Sequence, residues 1–179
     1  AVITGAASGI GAACVRSIAG LGYTVVGFDV DDESGRRTFA ELGAPQEYGH
    51  LDVRDADHWK TALAAVGRDF GRLDVLHLNA GVMIRPKGRP LLDNPLDWLS
   101  VDSYRKVMSV NLDGVVFGIL AALGSPGLRQ IIITASGAAL APLAMDPFYT
   151  TSKYAVLGLG LSLAPSLKER GVRLDVICP

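Results

Sequence analysis

The chain has 179 residues, 49% hydrophobic and 20% charged, which suits one globular domain with a sizeable core. Its 17 basic and 18 acidic residues nearly balance, so nothing indicates attraction to nucleic acid or to a membrane. Cys14 and Cys178 have neither metal-ligand nor disulfide-framework spacing, so we predict no metal site and a reducing, cytoplasmic location.

Alternating strand and helix signals run along the whole chain. Short apolar runs such as Ile131-Ile132-Ile133 suit strands that are buried on both faces of a sheet. The predicted strands lie near residues 1–4, 24–29, 46–51, 73–78, 130–135 and 172–178. The predicted helices lie near residues 10–20, 33–43, 55–69, 101–122 and 149–170. This alternation predicts a single-domain α/β fold over residues 1–179, with a doubly wound parallel sheet between two layers of helices.

A glycine-rich turn joins the first predicted strand to the first predicted helix. Gly5, Gly9 and Gly11 follow Thr4 in the spacing Gly-x-x-x-Gly-x-Gly. Glycines let the backbone approach a pyrophosphate closely, and the free N–H groups and dipole of a helix N-terminus attract the anion. The turn therefore predicts a phosphate site, although purely structural turns use glycine in the same way.

Asp29 ends the second predicted strand, 18 residues after Gly11. A carboxylate at about this separation accepts hydrogen bonds from the adenosine ribose of a dinucleotide. It also repels the extra phosphate of NADP, and no basic residue directly follows it, so NAD is the predicted cofactor. Arg36 and Arg37 keep NADP open as the alternative, and a solvated helix face is their other interpretation.

Two further groups follow the third and fourth predicted strands, at the sheet edge where ligands of such folds bind. Asp52-Val53 follows the third strand, and Asn79-Ala80-Gly81 follows the fourth. Asp52 also suits a helix N-cap, and Asn79-Ala80-Gly81 also suits a plain turn. Both groups are therefore candidates for cofactor contacts, with a structural role as the alternative.

Tyr149 and Lys153 lie four residues apart, so on a helix their side chains share one face. A lysine ammonium beside a tyrosine favours the phenolate, which a proton-transferring tyrosine needs. A solvated surface pair has the same spacing. Ser136 stands 13 residues before Tyr149 at the end of the fifth predicted strand, where its hydroxyl can polarise a carbonyl or serve an ordinary turn.

Taken in chain order, these motifs resemble those of the short-chain dehydrogenase/reductase family, and the resemblance covers nearly the whole chain. It implies a Rossmann-like fold that binds a nicotinamide dinucleotide. The cofactor contacts that it implies fall on Gly5, Ser8, Gly9, Ile10, Gly11, Asp29, Asp52, Val53, Asn79, Ala80, Gly81, Tyr149, Lys153 and Pro179. The catalytic residues that it implies are Asn111, Ser136, Tyr149 and Lys153.

The resemblance also implies a role for individual side chains. Asp52 contacts the adenine amine, and Ser136 holds the substrate oxygen. Lys153 holds the nicotinamide ribose and favours the Tyr149 phenolate, while Asn111 bends its helix and supports a water that leads to Lys153.

The function that follows is an oxidoreductase that transfers hydride between NAD(H) and a secondary alcohol or ketone, with Tyr149 as general acid and base. The alternatives are an NADP-dependent carbonyl reductase and a catalytically silent dinucleotide-binding module. The resemblance further suggests a homodimer or homotetramer built on the helices near 101–122 and 149–170.

Two regions depart from the family pattern. Residues 82–100 form a longer link than usual and contain Arg85, Lys87 and Arg89, which suit either an anionic substrate tail or a solvated surface loop. The chain begins inside its first strand and stops at Pro179, before the last strand that relatives have. We therefore expect both ends to be truncated.

Overall fold

The computed structural model describes residues 1–84, 88 and 94–179. The strands are β1 (Val2–Thr4), β2 (Val26–Asp29), β3 (Glu47–His50), β4 (Val75–Leu78), β5 (Gln130–Thr134) and β6 (Arg173–Ile177). The α-helices are α1 (Gly9–Gly20), α2 (Asp32–Ala40), α3 (Ala56–Phe70), α4 (Val101–Met108), α5 (Gly114–Ala122) and α6 (Pro147–Glu169). A π-helical segment (Ser109–Asp113) joins α4 to α5, and two short 3₁₀ turns span Pro95–Asp97 and Gly137–Ala139.

The six strands form one parallel sheet in the order β3-β2-β1-β4-β5-β6. The strand order reverses between β1 and β4, so a crevice opens there beyond the carboxyl ends of the strands. The predicted doubly wound, Rossmann-like α/β fold is confirmed. In the part of the chain that the structure describes, no helix has the length and apolar character needed to cross a membrane.

Side chains alternate between two layers of core. Val2, Leu76 and Ile131 pack on one face of the sheet in a large cluster that also contains Trp59 of α3 and Val156 of α6. The opposite face carries a smaller cluster made by Ile3, Val15, Val25 and Phe39, together with Ala6. The indole N–H of Trp59 donates to the carbonyl oxygen of Val53 at 3.0 Å, so this core residue also fixes the loop that follows β3.

The predicted helix over 101–122 is continuous, but its middle is π-helical rather than α-helical. Ser100 and Ser103 start it with a reciprocal capping box. Asn111 lies in the π-helical segment, and its side chain hydrogen-bonds to the backbone of Val82. Helix α2 ends at Ala40, three residues before the predicted end.

Helix α6 begins at Pro147, two residues before the predicted start, because Asp146 caps it and proline suits its first turn. It lies close to the sheet where it carries Gly160. A Cβ atom on Gly160 would collide with Cγ2 of Val176 and would lie 3.2 Å from Cδ2 of Leu174. Gly158, two residues earlier on the same helix, is exposed and has open space around it.

Gly160→Ala should lower the free energy of unfolding by about 1–3 kcal/mol, because the added methyl group forces α6 away from β6. Gly158→Ala is the matched control, and it should raise the free energy of unfolding by about 0.4–1 kcal/mol because alanine favours the helix. Urea unfolding monitored by circular dichroism measures both. Equal stabilisation by the two substitutions would show that α6 does not need this close approach.

Candidate active site

A cavity of about 690 Å³ opens at the carboxyl ends of the strands. It has the size of a pocket that holds a small molecule or cofactor. Of the predicted site residues, all but Gly11 and Asn111 line it. Those on its wall are Gly5, Ser8, Gly9, Ile10, Asp29, Asp52, Val53, Asn79, Ala80, Gly81, Ser136, Tyr149, Lys153 and Pro179. Residues from widely separated parts of the sequence therefore meet around one space.

The glycine turn between β1 and α1 has the backbone that its sequence predicts. Gly5 and Gly9 have φ values of 66° and 53°, in the left-handed region that favours glycine. A Cβ atom on Gly11 would collide with the carbonyl oxygen of Gly5, so Gly11 serves the packing of the helix on the turn. Ser8 takes the N-cap position of α1 without a capping side-chain hydrogen bond, and no acidic residue lies in the first turn. This helix N-terminus is therefore suited to an anion.

The Asp29 carboxylate is fixed by backbone N–H groups. One oxygen accepts from Val30 at 2.7 Å and from Asp31 at 3.1 Å, and the other accepts from Ala7 at 3.0 Å. The last bond ties the end of β2 to the glycine turn. A negative charge is thus held in place on the cavity wall.

Further carboxylates follow Asp29 in the sequence, although they do not line the cavity. Asp31 caps α2, and a hydrogen bond from the Ser34 N–H lowers the pKa of Asp31. Asp32 lies 3.0 Å from His50 Nδ1 and from the Tyr48 hydroxyl, and these bonds lower the pKa of Asp32. Arg36 lies 3.6 Å from Asp32 as an ion pair.

Asp52 has a partner that the sequence analysis missed. Arg54 Nε lies 2.9 Å from Oδ1 of Asp52, and Nη2 lies 2.6 Å from Oδ2. This guanidinium holds the pKa of Asp52 below its usual range. Arg54 also lines the cavity, so an Asp–Arg pair stands where a single carboxylate was expected. The sequence did contain a signal for this ion pair, because Asp52 and Arg54 are opposite charges two positions apart at the end of a strand.

Polar side chains connect the ends of β1, β4 and β5. Asn79 Nδ2 donates to the Thr4 carbonyl at 3.0 Å, and Asn79 Oδ1 accepts from the Thr134 hydroxyl at 3.1 Å. The Thr4 hydroxyl accepts from the N–H groups of Asn79 and Ala80. His77 Nε2 lies 2.8 Å from the Thr134 oxygen, and burial lowers the pKa of His77 to about 4. His77 is therefore neutral at pH 7.

Lys153 and Tyr149 share one face of α6, as their spacing predicts. Lys153 is 3% exposed, and its Nζ donates to the Thr134 carbonyl at 2.8 Å. The same Nζ lies 5.5 Å from the centroid of the Tyr149 ring. Burial lowers the pKa of Lys153 to about 8, so most of it still carries its proton at pH 7.

Ser136 follows β5 and starts the 3₁₀ turn at Gly137–Ala139. Its Oγ accepts from the Ala138 N–H at 3.1 Å. Because this bond uses a lone pair, the hydroxyl hydrogen remains able to donate to another acceptor. Ser136 can therefore offer a hydrogen bond on the wall that it shares with Tyr149 and Lys153.

Asn111 is fully buried and does not line the cavity. Its Oδ1 accepts from the Val82 N–H at 2.8 Å, and its Nδ2 donates to the Val82 carbonyl and to Ser152 Oγ, both at 3.0 Å. Asn111 thus holds the chain after β4 against the π-helical segment and α6. Its predicted catalytic role stays a prediction.

Asp146 is a second residue that the sequence analysis did not single out. It is fully buried, caps α6 by accepting from the Tyr149 N–H, and also accepts from the Ile84 N–H. The dipeptide Asp146-Pro147 was the available signal, because it is typical of a helix start.

Arg85, Lys87 and Arg89, for which two roles were left open, lie outside the described residues. Within the described ranges, no cluster of three or more His, Cys, Asp or Glu side chains has the arrangement of a metal site.

Comparisons with known proteins identify the family to which this fold and sequence belong. A sequence model of the short chain dehydrogenase family matches residues 1–179. The chain is 34% identical over 182 residues to 3-alpha-(or 20-beta)-hydroxysteroid dehydrogenase of Mycobacterium tuberculosis, covering 100% of this chain and 67% of that protein. It is 34% identical over 185 residues to 2,5-dichloro-2,5-cyclohexadiene-1,4-diol dehydrogenase of Sphingobium indicum, covering 100% of this chain and 71% of that protein.

Among solved structures, a short chain dehydrogenase/reductase from Burkholderia phymatum in complex with NAD superimposes with a TM-score of 0.89 at 31% identity, over 99% of this chain and 64% of that one. The chain thus spans about two thirds of the length of these relatives. With its family model matched from end to end and its fold shared, the chain belongs to the short-chain dehydrogenase/reductase family.

Proposed function

We propose that this chain carries the cofactor site and the proton-transfer residues of an oxidoreductase that moves hydride between NAD(H) and a secondary alcohol or ketone. The observation that supports this most is the placement of Tyr149, Lys153 and Ser136 on the wall of the cavity that also contains the glycine turn. One space can therefore hold a dinucleotide and present its reactive end to an acid/base group.

The residues present fit a dinucleotide. The turn with Gly5 and Gly9 offers close backbone approach, and the uncapped N-terminus of α1 offers N–H groups to a pyrophosphate. At the other end of the pyrophosphate site, Asp29 offers carboxylate oxygens to ribose hydroxyls. With a dinucleotide bound in this cavity, its nicotinamide would accept hydride in oxidation and supply it in reduction.

The preference for NAD rests on charge. Asp29 lines the cavity, and Asp31 and Asp32 follow it closely at the end of β2, so a ribose phosphate beside Asp29 would lie in a region of negative charge. The two basic side chains that could hold that phosphate already have partners on α2, since Arg36 pairs with Asp32 and Arg37 lies 3.5 Å from the Ser34 hydroxyl. These contacts favour NAD over NADP.

Tyr149, Lys153 and Ser136 have different roles in the proposed proton transfer. In oxidation the Tyr149 phenolate oxygen takes the proton of the substrate hydroxyl as hydride leaves the carbon that bears this hydroxyl for NAD⁺, and a ketone forms. In reduction the Tyr149 hydroxyl gives the proton to the carbonyl oxygen as that carbon receives hydride from NADH. The Lys153 ammonium, held by the Thr134 carbonyl, stabilises the phenolate. Ser136 donates a hydrogen bond to the substrate oxygen, where negative charge develops.

The substrate proposal is a secondary alcohol on a carbon ring. The relatives are named for hydroxylated carbocyclic compounds: a cyclohexadienediol, with both hydroxyls on the ring, and hydroxysteroids, with the hydroxyl on the ring (3-alpha) or on the side chain (20-beta). A panel of cyclic secondary alcohols with NAD⁺, followed by NADH absorbance, tests this class. NADH binding without oxidation of any member would instead favour a silent binding module.

A self-associating oligomer and a cytoplasmic location complete the proposal. Leu120 of α5 and Leu161 of α6 are 63% and 66% exposed, and Tyr154 adds aromatic surface to α6. Such apolar groups on neighbouring helices suit a contact between copies of the chain. Cys14 and Cys178 are free thiols, as a reducing compartment would leave them.

Tyr149→Phe should keep NADH binding, with at most a small change in Kd, and lower kcat by about 10²–10⁴-fold, because the general acid and base is lost. Tyr154→Phe removes a hydroxyl from the exposed side of the same helix and should keep kcat. Fluorescence titration gives the Kd, and NADH absorbance gives kcat. Equal kcat values for Tyr149→Phe and the unaltered protein would reject Tyr149 as the proton carrier.

Asp29→Ser should raise the affinity for NADPH relative to NADH by at least about tenfold, because it removes a charge that repels the ribose phosphate. Asp57→Asn, which changes the net charge equally at an exposed site on α3, should leave the ratio unchanged. Competitive titration of the two reduced cofactors measures it. A wild-type preference for NADPH would reverse the cofactor assignment.

A further inference from the structure

Asp146 is a buried carboxylate whose two oxygens serve two different parts of the chain. It has no exposed surface, and among the described residues it is the only acidic side chain that is buried. Oδ1 accepts from the Tyr149 N–H at 3.0 Å, and Oδ2 accepts from the Ile84 N–H at 3.1 Å. Asp146 therefore joins the backbone of the proton-transfer residue to the chain that follows β4.

Capping a helix does not require this arrangement. Asp55 caps α3 by accepting from the N–H groups of Asp57 and His58, both in its own helix, and it is exposed. A serine would also cap α6. Burying a carboxylate is costly unless it is fully hydrogen-bonded, so the second oxygen and its bond to Ile84 need a separate explanation.

The partner of that second oxygen is part of the cavity wall. We call residues 82–84 the post-β4 segment. Val82 and Met83 line the cavity next to Gly81, and a Cβ on Gly81 would lie 3.3 Å from Lys153 Nζ. Asn111 holds the first residue of the segment through its N–H and its carbonyl, and Asp146 holds the last through its N–H.

We propose that Asp146 is a positioning residue, which sets the distance between Tyr149 and the post-β4 segment and thereby the width of the cavity where the substrate alcohol meets Tyr149. The inference rests on the proposed function, since it takes Tyr149 as the proton carrier. Asp146 acts through the two N–H groups and does not itself exchange a proton with substrate. The cofactor contacts at the glycine turn and at Asp29 lie on other elements and do not depend on it.

Two substitutions separate the bond from Asp146 to Ile84 from the helix cap that Asp146 gives to Tyr149. Asp146→Ser keeps one oxygen for the Tyr149 N–H and loses the reach to Ile84, whereas Asp146→Ala loses both bonds. Asp55→Ala removes a helix cap away from Tyr149 and serves as the matched control for lost stability. Tyr149→Phe is measured beside them with the cyclic alcohol that gives the fastest NADH formation.

Turnover is expressed per NADH-binding site, so that unfolded protein does not count. Asp146→Ser and Asp146→Ala should both lower kcat by about 10²-fold, as expected for a misplaced catalytic group, with a much smaller change in the Kd for NADH, because the contacts at the glycine turn and at Asp29 remain. Asp55→Ala should lower the thermal midpoint and keep kcat. Amide hydrogen exchange followed by NMR should show faster exchange at Ile84 in both Asp146 variants, and faster exchange at Tyr149 only in Asp146→Ala.

Wild-type kcat per site in Asp146→Ser, beside an inactive Tyr149→Phe, would overturn the positioning role and leave the proposed function intact. An active Tyr149→Phe would overturn the proposed function and with it the role of Asp146 in turnover. The exchange measurement needs no substrate, and unchanged protection of the Ile84 amide in Asp146→Ala would overturn the link itself.

Discussion

The side chain of Asn79 hydrogen-bonds to Thr4 on β1 and to Thr134 on β5, and so joins the carboxyl ends of three parallel strands. At this edge of a parallel sheet, backbone groups run out of strand partners, and side chains must satisfy them. The same Thr134 offers its carbonyl oxygen to Lys153. The glycine turn after β1 and the lysine of α6 therefore take their positions from one connected set of polar groups, and the shape of the cavity depends on it.

The second shaping element is the chain that leaves β4. Asn111 and Asp146, both buried, hold Val82 and Ile84 from opposite ends. Both positions hold a buried polar side chain. An apolar side chain would be safer for stability, because a buried polar group that loses its partner destabilises the fold. Such polar groups add directional contacts, because a hydrogen bond fixes the position of a backbone atom more narrowly than an apolar contact does.

The fold and most of the cavity wall could be predicted because their signals are local. Buried strands are short apolar runs, the glycine turn sits between one strand and one helix, and Tyr149 and Lys153 are one helical turn apart. The contacts that were missed join residues that are distant in sequence, such as Asp146 with Ile84 and His77 with Thr134. The resemblance implied a bend at Asn111, but the π-helical form of the segment and the bond of Asn111 to Val82 could not be read from the hydrophobic period.

The buried ammonium of Lys153 lowers the free energy of unfolding of the chain. Burial lowers its pKa to about 8, whereas a lysine in an unfolded chain has a pKa of about 10.4. Between these values the unfolded chain binds more protons, so this group's contribution to stability improves as pH rises through that window and is least favourable at neutral pH and below. The cost of keeping Lys153 protonated at pH 7 is on the order of 3 kcal/mol, although the ammonium donates a hydrogen bond to the Thr134 carbonyl. A neutral side chain would avoid it. The proposed role, in which the Lys153 ammonium stabilises negative charge on the Tyr149 oxygen, would account for keeping a buried cation at this cost.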